Sequence, residues 1–412
     1  MRIIADLHLH SKYSRATSPR SDLAGLAEWA RIKGVGLLGT GDFTHPKWLK
    51  ELKKWLKPAG DGLFQHQGIN FMLTSEVSNI FEVGGKTRKI HTLLLAPSFE
   101  VVEQLNDQLS GYGDLKEDGR PTLMMDVAEL LDITESVSRK IMFIPAHLWT
   151  PWFGLFGSKG GFDSLEEAFG KKASHIKAVE TGLSSDPEMN WMLSSLDSVS
   201  LISNSDAHSP QKIAREANLF EVPEATFGAV TRAIETREGF LKTYEFYPEE
   251  GKYHWDGHRK CGVWIDPQKA LKQGGRCPRC GKPLTLGVMH RVVALADRKR
   301  GYVPEGAVPY TSLVPLSTII SVVRGRGEQT KTVQDEYFKL INYFGSEFAA
   351  LEASRESLSL AMDRVLADAI VNAREGKVYW RPGYDGVFGE LSFSKIEQPA
   401  YSVEGQKSLT DF

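Results

Sequence analysis

Two histidines, His8 and His10, stand two residues apart where the first apolar run of the chain ends, in Ile3-Ile4-Ala5-Asp6-Leu7-His8-Leu9-His10-Ser11. Short apolar runs bounded by turn signals read as buried strands. In extended backbone, residues i and i+2 share a face, so both imidazoles point the same way. Two neutral imidazoles at that spacing can chelate one metal ion. The arrangement then recurs. Strand-like runs are expected at residues 2–5, 35–40, 69–74, 90–96, 141–146, 176–181 and 199–203. Asp42 and His45 follow the second run, Glu76 the third, His147 the fifth, and Asp206 and His208 the seventh, while His91 lies on the fourth. Helical periods separate the runs at 23–32 (with Ser21 as its cap), 46–56, 125–136, 210–217 and 226–238. Repeated βα units predict a parallel barrel or an open α/β sheet over residues 1–245. Polar groups after so many different strands favour the barrel, whose sites lie at the C-terminal face. A hydrogen-bonded side chain explains any one of these residues, but it does not explain why so many of them choose strand ends.

Together, Asp6-Leu7-His8-Leu9-His10-Ser11, Glu76, His91, Ala146-His147 and Ser205-Asp206-Ala207-His208 resemble the PHP superfamily of metal-dependent phosphoesterases. The resemblance implies a distorted (β/α)7 barrel holding Zn, Mn, Fe or Mg. It makes His8, His10, Glu76, His91, His147, Asp206 and His208 metal ligands, with His8, His10, Glu76, Asp206 and His208 acting catalytically through the metal. Two departures stand out. Asp42 falls where the superfamily has a histidine ligand, so Asp42 is expected as a ligand with His45 as a nearby substitute. Arg15 follows Ser14 where an acidic residue is usual; a cation there cannot ligate a metal but can contact a phosphate oxygen. Fewer ions than the superfamily maximum, about two, are therefore expected. Glu180 also follows a strand and is expected to support the ligands from behind.

At 412 residues with 41% hydrophobic and 25% charged content, the chain has an ordinary globular composition and is long enough for two or three domains. Residues 251–300 carry twelve Lys and Arg against three Asp, in a chain whose net charge is -2. A basic segment in an otherwise acidic chain suits a polyanion, although a solvated face explains charge alone equally well. The three cysteines, Cys261, Cys277 and Cys280, all lie inside this segment. Cys277-Pro278-Arg279-Cys280 reads as a zinc knuckle, and His258-Arg259-Lys260-Cys261 repeats its two-residue gap to complete a Cys3His site of structural type. His254 is a rival for the fourth position and His290 a weaker one. Arg259, Lys260, Arg276, Arg279 and Lys282 around the ion would face phosphates.

Residues 301–400 read as a helical, DNA-binding region. One stripe runs through Tyr337, Leu340, Ile341, Phe344 and Phe348, and a second through Leu358, Met362, Val365 and Ala369. Residues 401–412 read as a flexible tail in which Gln406, Leu409 and Phe412 resemble a PCNA-interacting peptide. Barrel, zinc module, helical region and clamp peptide, in that order, are similar to the endonuclease Q family over essentially the whole chain. That resemblance implies metal-dependent hydrolysis of the phosphodiester 5′ of deaminated bases (uracil, hypoxanthine, xanthine) and of abasic sites. It implies structural Zn2+, with Mg2+, Mn2+ or Zn2+ in the barrel, double-stranded DNA and a PCNA sliding clamp as partners, and a flipped base. Trp149, Trp152, Phe153 and Tyr384 are candidate walls for that base, and Arg324-Gly325-Arg326-Gly327 a candidate backbone contact. Two other functions stay open: a phosphatase for a small phosphomonoester, and a non-catalytic zinc-bearing DNA adaptor tethered to the clamp. No leader or membrane anchor is visible, so a cytoplasmic, nucleoid-associated monomer is expected.

Overall fold

The computed structural model describes residues 1–397, so Gln406, Leu409 and Phe412 lie outside the described residues. Arg2–Asp6 runs parallel to Leu37–Gly39, which runs parallel to Ile69–Val83. The ring then changes sense, because Ile69–Val83 pairs antiparallel with Lys86–Ala96, and that strand antiparallel with Met142–Pro145. Two consecutive glycines, Gly84 and Gly85, make this hairpin at φ of 59° and 70°. Both values suit a two-residue turn that only glycine-like residues adopt easily. Ala178–Glu180 and Ser200–Ile202 form a parallel pair. Main-chain bonds from Leu148 to Glu180 and from His10 to Ala207, each 2.9 Å, tie this pair to its neighbours and close the ring. Ile3, Ala5, Leu7, Leu37, Met72, Leu93, Ile144, Ala178 and Ile202 fill the inside. Leu38, Phe71, Leu94, Phe143 and Val179 face the helices outside. The ring is thus a packed core, and function is confined to its rim.

Local sequence choices differ from expectation at a few points, each for a tertiary reason. The first helix, Leu23–Lys33, is capped by Asp22, whose carboxylate accepts from Gly25 N at 2.9 Å, and not by Ser21. Residues 210–217 do not form a helix beyond the single turn Pro210–Lys212. Ala214 N donates to the buried Asp6 carboxylate at 2.8 Å instead, and the chain continues into the strand Ala217–Glu221. That strand pairs antiparallel with Arg2–Asp6 and, on its other edge, with Phe240–Phe246.

Beyond the barrel, the hairpin Asp256–His258/Val263–Ile265 and the short helix Pro267–Lys272 surround a small core of Val263, Ile265, Ala270, Cys277 and Leu284. The C-terminal region holds the helices Leu316–Arg324, Lys331–Phe344, Glu347–Glu352, Arg355–Ala361 and Arg364–Arg374. The stripe through Leu358, Met362, Val365 and Ala369 is broken: Asp363 caps a new helix, which turns Val365 outward to 66% exposure. This region packs on the barrel through a buried network, with Lys33 Nζ 2.5 Å and the Tyr337 hydroxyl 2.6 Å from Glu347 Oε2. Residues 301–397 also interleave with both earlier regions. Tyr310–Leu313 joins the barrel sheet beside Phe240–Phe246, and Asp385 accepts from Arg259 N at 2.7 Å and Thr285 Oγ1 at 2.6 Å. Among the described residues, no helix is long and apolar enough to cross a membrane.

Candidate metal centre

The chain leaves its first strand at Asp6, whose buried carboxylate accepts from the Ser205 hydroxyl at 2.6 Å and Ser205 N at 3.1 Å. Burial pushes this carboxyl up to about 6 against those bonds. Asp6 thereby splices the exit of the first strand to the segment bearing Asp206. Leu9 bridges to Ala207, which sets His8 and His10 beside Asp206.

Each of the two histidines is held from behind by a carboxylate. His8 Nδ1 lies 3.0 Å from both Glu180 oxygens, and His10 Nδ1 lies 3.0 Å from Asp42 Oδ1. An ionised carboxylate only accepts, so Nδ1 carries a hydrogen and Nε2 faces the mouth. Burial opposes a charge on either ring, but Glu180 and Glu76 hold His8, and Asp42 holds His10, well above the ordinary imidazole value, so a divalent ion would take Nε2 by displacing a proton. Glu180 further accepts from His147 N at 2.8 Å and Asn204 Nδ2 at 2.9 Å. Asp42 does not stand among the ligands. Its Oδ2 accepts from Ser11 N at 2.7 Å, the Ser11 hydroxyl at 2.6 Å and the Ser14 hydroxyl at 2.9 Å, so both oxygens are consumed in aiming His10. Nor does His45 substitute for a missing ligand. Its Nδ1 accepts from Trp48 N to cap the helix Pro46–Trp55, and its Nε2 lies 3.2 Å from the Lys116 carbonyl.

Two groups of ligand atoms result, each with all atoms within 4.8 Å of one another: His8, His10, Glu76 and Asp206 in one, Glu76, His91 and His147 in the other. Glu76 belongs to both. Its Oε2 is 3.2 Å from His10 Nε2 and 3.6 Å from His8 Nε2, while its Oε1 is 2.8 Å from His91 Nδ1 and 2.9 Å from His147 Nε2. Asp206 Oδ1 stands 3.1 Å from His10 Nε2 and 3.8 Å from His8 Nε2. His8 Nε2, His10 Nε2 and Asp206 Oδ1 are buried and form no hydrogen bond among the described residues. Buried polar atoms without partners are rare, and ligand atoms converging this way fit a divalent cation. Burial opposes ionisation of Glu76, but His91, Arg120 and His8 outweigh it and hold the carboxyl well below its usual range. Burial pushes His91 down to about 4, which leaves it neutral and ready to ligate at physiological pH.

His208 stands at the rim, outside both groups, with its side chain 34% exposed and its ring centroid 4.5 Å from that of His10. Its Nδ1 lies 3.0 Å from the Asp206 carbonyl, which can only accept, so its Nε2 keeps a lone pair. Arg15 is not at the mouth. It turns to Glu117 and Asp118, with its side chain 70% exposed. Arg120 instead reaches a ligand side chain, with its Nη1 donating to Glu76 Oε2 at 3.0 Å, while Arg215 holds the main chain of Ser205 from behind. Arg120 lies in a loop with no periodic pattern, and nothing in the sequence singled it out.

Of the four aromatic candidates, Trp149 and Tyr384 are packing residues. Trp149 is buried against Phe156 with its Nε1 on Asn190 Oδ1 at 2.8 Å, and Tyr384 is buried over Gly257. Phe153 stacks on His91 at 4.3 Å, and Trp152 is exposed beside Tyr253. The Arg324 side chain is committed to Glu336 and Asp363.

The second centre joins His258, Cys261, Cys277 and Cys280, again within 4.8 Å. His258 Nδ1 lies 3.4 Å from Cys280 Sγ, and Gly281 N donates to the Cys277 carbonyl at 2.8 Å to tighten the knuckle. Three thiols and one imidazole are the donor set of a closed structural zinc site. His254 is buried elsewhere, and His290 is bonded to Asp256 at 2.7 Å.

Residues 315–377 match the family model described as the MJ0043 C-terminal domain. The fold is similar to the crystal structure of the lesion-specific endonuclease PfuEndoQ from Pyrococcus furiosus, with a TM-score of 0.85, 34% identity and 95% of each chain covered. It is also similar to endonuclease Q in complex with a 27-mer duplex substrate carrying an abasic lesion at the active site, with a TM-score of 0.84, 34% identity, and 96% and 97% of the two chains covered. Among curated relatives, the uncharacterised protein YqxK of Bacillus subtilis is 31% identical over 414 residues, covering 95% of this chain and 99% of its own. MJ0043 of Methanocaldococcus jannaschii is 36% identical over 264 residues, covering 62% of this chain but 32% of its own length, so the match spans about a third of that longer protein. Identity at this level over nearly the full length of two solved chains, with a shared-carboxylate metal site at the barrel mouth, means that this chain belongs to the endonuclease Q family.

Proposed function

We propose that the protein is a metal-dependent DNA repair endonuclease that hydrolyses the phosphodiester 5′ of deaminated bases (uracil, hypoxanthine, xanthine) and abasic sites. The observation that carries the reading is Glu76, one carboxylate whose two oxygens serve two adjacent ligand groups. Divalent ions bound there supply Lewis-acid activation of water and of the phosphoryl group. Mg2+ or Mn2+ suits the oxygen-rich part of this donor set and Zn2+ its imidazoles. The chain's own residues do the rest. Glu180 and Asp42 fix His8 and His10 so that only Nε2 faces the mouth. Asp206 directs an unpaired oxygen at the same point, and His208 presents Nε2 at the rim as a further base or ligand. The Cys3His module holds structural Zn2+, and its basic surface grips the duplex.

The test is incision of duplexes carrying uracil, hypoxanthine, xanthine or an abasic site, with Mg2+ or Mn2+, against an undamaged control. Nicks 5′ of the lesion, leaving a 3′-hydroxyl and a 5′-phosphate, are expected. Intact duplex across all lesions and metals refutes the reading. The tail residues Gln406, Leu409 and Phe412 are proposed to engage a PCNA-type clamp. Their removal should leave intrinsic nicking intact and weaken capture by the clamp, and unchanged capture refutes the assignment.

A further inference from the structure

The loop before Arg120 lies over the mouth and is fixed there by contacts along its length. Gly119 N donates to the Tyr13 carbonyl at 3.1 Å, and the Gly119 carbonyl accepts from the Thr44 hydroxyl at 3.1 Å. A Cβ on Gly119 would stand 2.2 Å from Asp42 Oδ2, so only glycine lets the loop descend onto the group that orients His10. The Lys116 carbonyl holds His45, and Asp118 Oδ1 accepts from Arg120 N at 3.2 Å. Arg120 therefore leaves the main chain at a defined place beside the ligands.

Its side chain is 26% exposed, and its bond to Glu76 Oε2 is the one hydrogen bond of its guanidinium among the described residues. A guanidinium offers five N–H donors in a planar fork, so most of them have no protein acceptor among the described residues and stay available to a ligand at the mouth. Asp206, His91 and His208 all lie within its electrostatic reach, which places it across both ligand groups. A carboxylate that ligates a metal can still accept a hydrogen bond, so Glu76 occupies one donor and leaves the rest of the fork. With divalent ions on the Glu76 oxygens as well, the positive charge gathered there favours an anion entering beside Arg120. A phosphodiester is that anion, and the arginine fork matches two of its oxygens as lysine does not.

We propose that Arg120 is a catalytic residue that binds the non-bridging oxygens of the scissile phosphate, taking the position of positive charge that the sequence suggested for Arg15. The inference rests on the phosphodiester chemistry proposed above. It is tested with full-length, metal-loaded Arg120→Ala and Arg120→Lys by three readouts: metal content, affinity for inorganic phosphate by calorimetry, and kcat and KM on a lesion-bearing duplex. Both variants should keep the wild-type metal content. Phosphate affinity should fall about tenfold or more and kcat about 10²–10³-fold, as for loss of a preorganised oxyanion donor, with KM changed less than about threefold. Arg120→Lys should regain a minor part of kcat, because it keeps the charge and loses the fork. Loss of an ion with phosphate affinity unchanged per loaded site would overturn the proposal and make Arg120 a positioning residue for Glu76. If the wild-type protein nicks no lesion, the proposed function fails, while the phosphate titration still decides the role of Arg120.

Discussion

Replacing Glu76 by glutamine tests the shared ligand directly, because it preserves shape and changes only what the two ends can donate. In the native site, Oε1 serves His91 and His147 at 2.8 and 2.9 Å, and Oε2 serves His10 at 3.2 Å while accepting from Arg120 at 3.0 Å. An amide has one oxygen that can ligate and one NH2 that cannot. Arg120 only donates, so it selects the orientation with the carbonyl oxygen facing it and turns the NH2 toward His91 and His147. The group with His8, His10 and Asp206 then keeps a neutral fourth ligand, while the other falls to two histidines. Glu76→Gln should therefore lose one ion per chain and retain the other more weakly. Without a pair of cations to stabilise both attacking and leaving oxygens, incision should slow by about 10³-fold, a barrier increase of ~4 kcal/mol. Metal content after dialysis against metal-free buffer and single-turnover incision of a lesion-bearing duplex measure the two effects separately. Full metal content with a rate within about tenfold of wild type would refute the shared-ligand reading. Loss of both ions would refute the orientation assigned to the amide.

Asp206→Ala removes an unpaired, buried oxygen from the first group and should abolish nicking while sparing DNA binding; anisotropy with intact duplex checks the second half, and lost binding with retained nicking contradicts the role. Cys277→Ser should release one zinc equivalent and open residues 256–285 to proteolysis, because the core of Val263, Ile265, Ala270, Cys277 and Leu284 is too small to hold that module alone; resistant protein without zinc would exclude a structural ion. Glu245 is pushed up to about 8 by burial, its Oε2 accepting from Thr181 at 3.0 Å and Ser203 at 3.1 Å. A raised carboxyl binds its proton more tightly in the folded state, so its contribution is complete below the unfolded value near 4.3 and is lost as pH rises toward 8. Urea denaturation should show stability falling over that window, and Glu245→Gln should be more stable than wild type at pH 8 by on the order of 2 kcal/mol; identical pH profiles would refute the assignment.

The site was legible from strand exit for His8 and His10, which leave extended backbone on one face. Glu76 is expected after its strand, but it lies inside the long strand Ile69–Val83, and His91 inside its hairpin partner Lys86–Ala96, with Glu76 aligned to Leu93 and Ser78 to His91, because the strand runs on through the barrel rim into the hairpin. What stayed hidden depends on contacts distant in sequence. Asp42 occupies a ligand position in the linear pattern, yet hydrogen bonds from Ser11 and Ser14 turn it into the group that aims His10. Arg120 comes from a loop whose path is set by Tyr13, Thr44 and Asp42, each far from it in the chain. The break at Met362 was hidden for a different reason, since the apolar spacing continues across it and only the Asp363 cap interrupts the helix. The antiparallel turn at Gly84-Gly85, by contrast, had a local signal, because two glycines between strand-like runs are a hairpin's signature.

Three non-glycine residues of the site hold positive φ: Asp42 at 49°, His147 at 30° and Asp206 at 48°. Each follows a strand of the ring within a few residues, and each such conformation costs about 1–2 kcal/mol relative to ordinary backbone. Glycine would remove that cost, and the fold does use glycine beside two of them, at Gly41 and Gly182. A Cβ on Gly182 would stand 2.5 Å from His147 Cβ, so the small residue yields its space to the functional one. The strain therefore persists where the side chain itself is needed and is absent next door. A barrel built only for stability would reverse that choice. The same logic explains why Glu180 and Asn204 are buried behind the ligands with their polar atoms satisfied, while the Nε2 atoms in front are not. Rigidity sits behind the donors, and the unsatisfied valence faces the mouth, which is the distribution a site needs if its final partners are a cation and a phosphate rather than the protein itself.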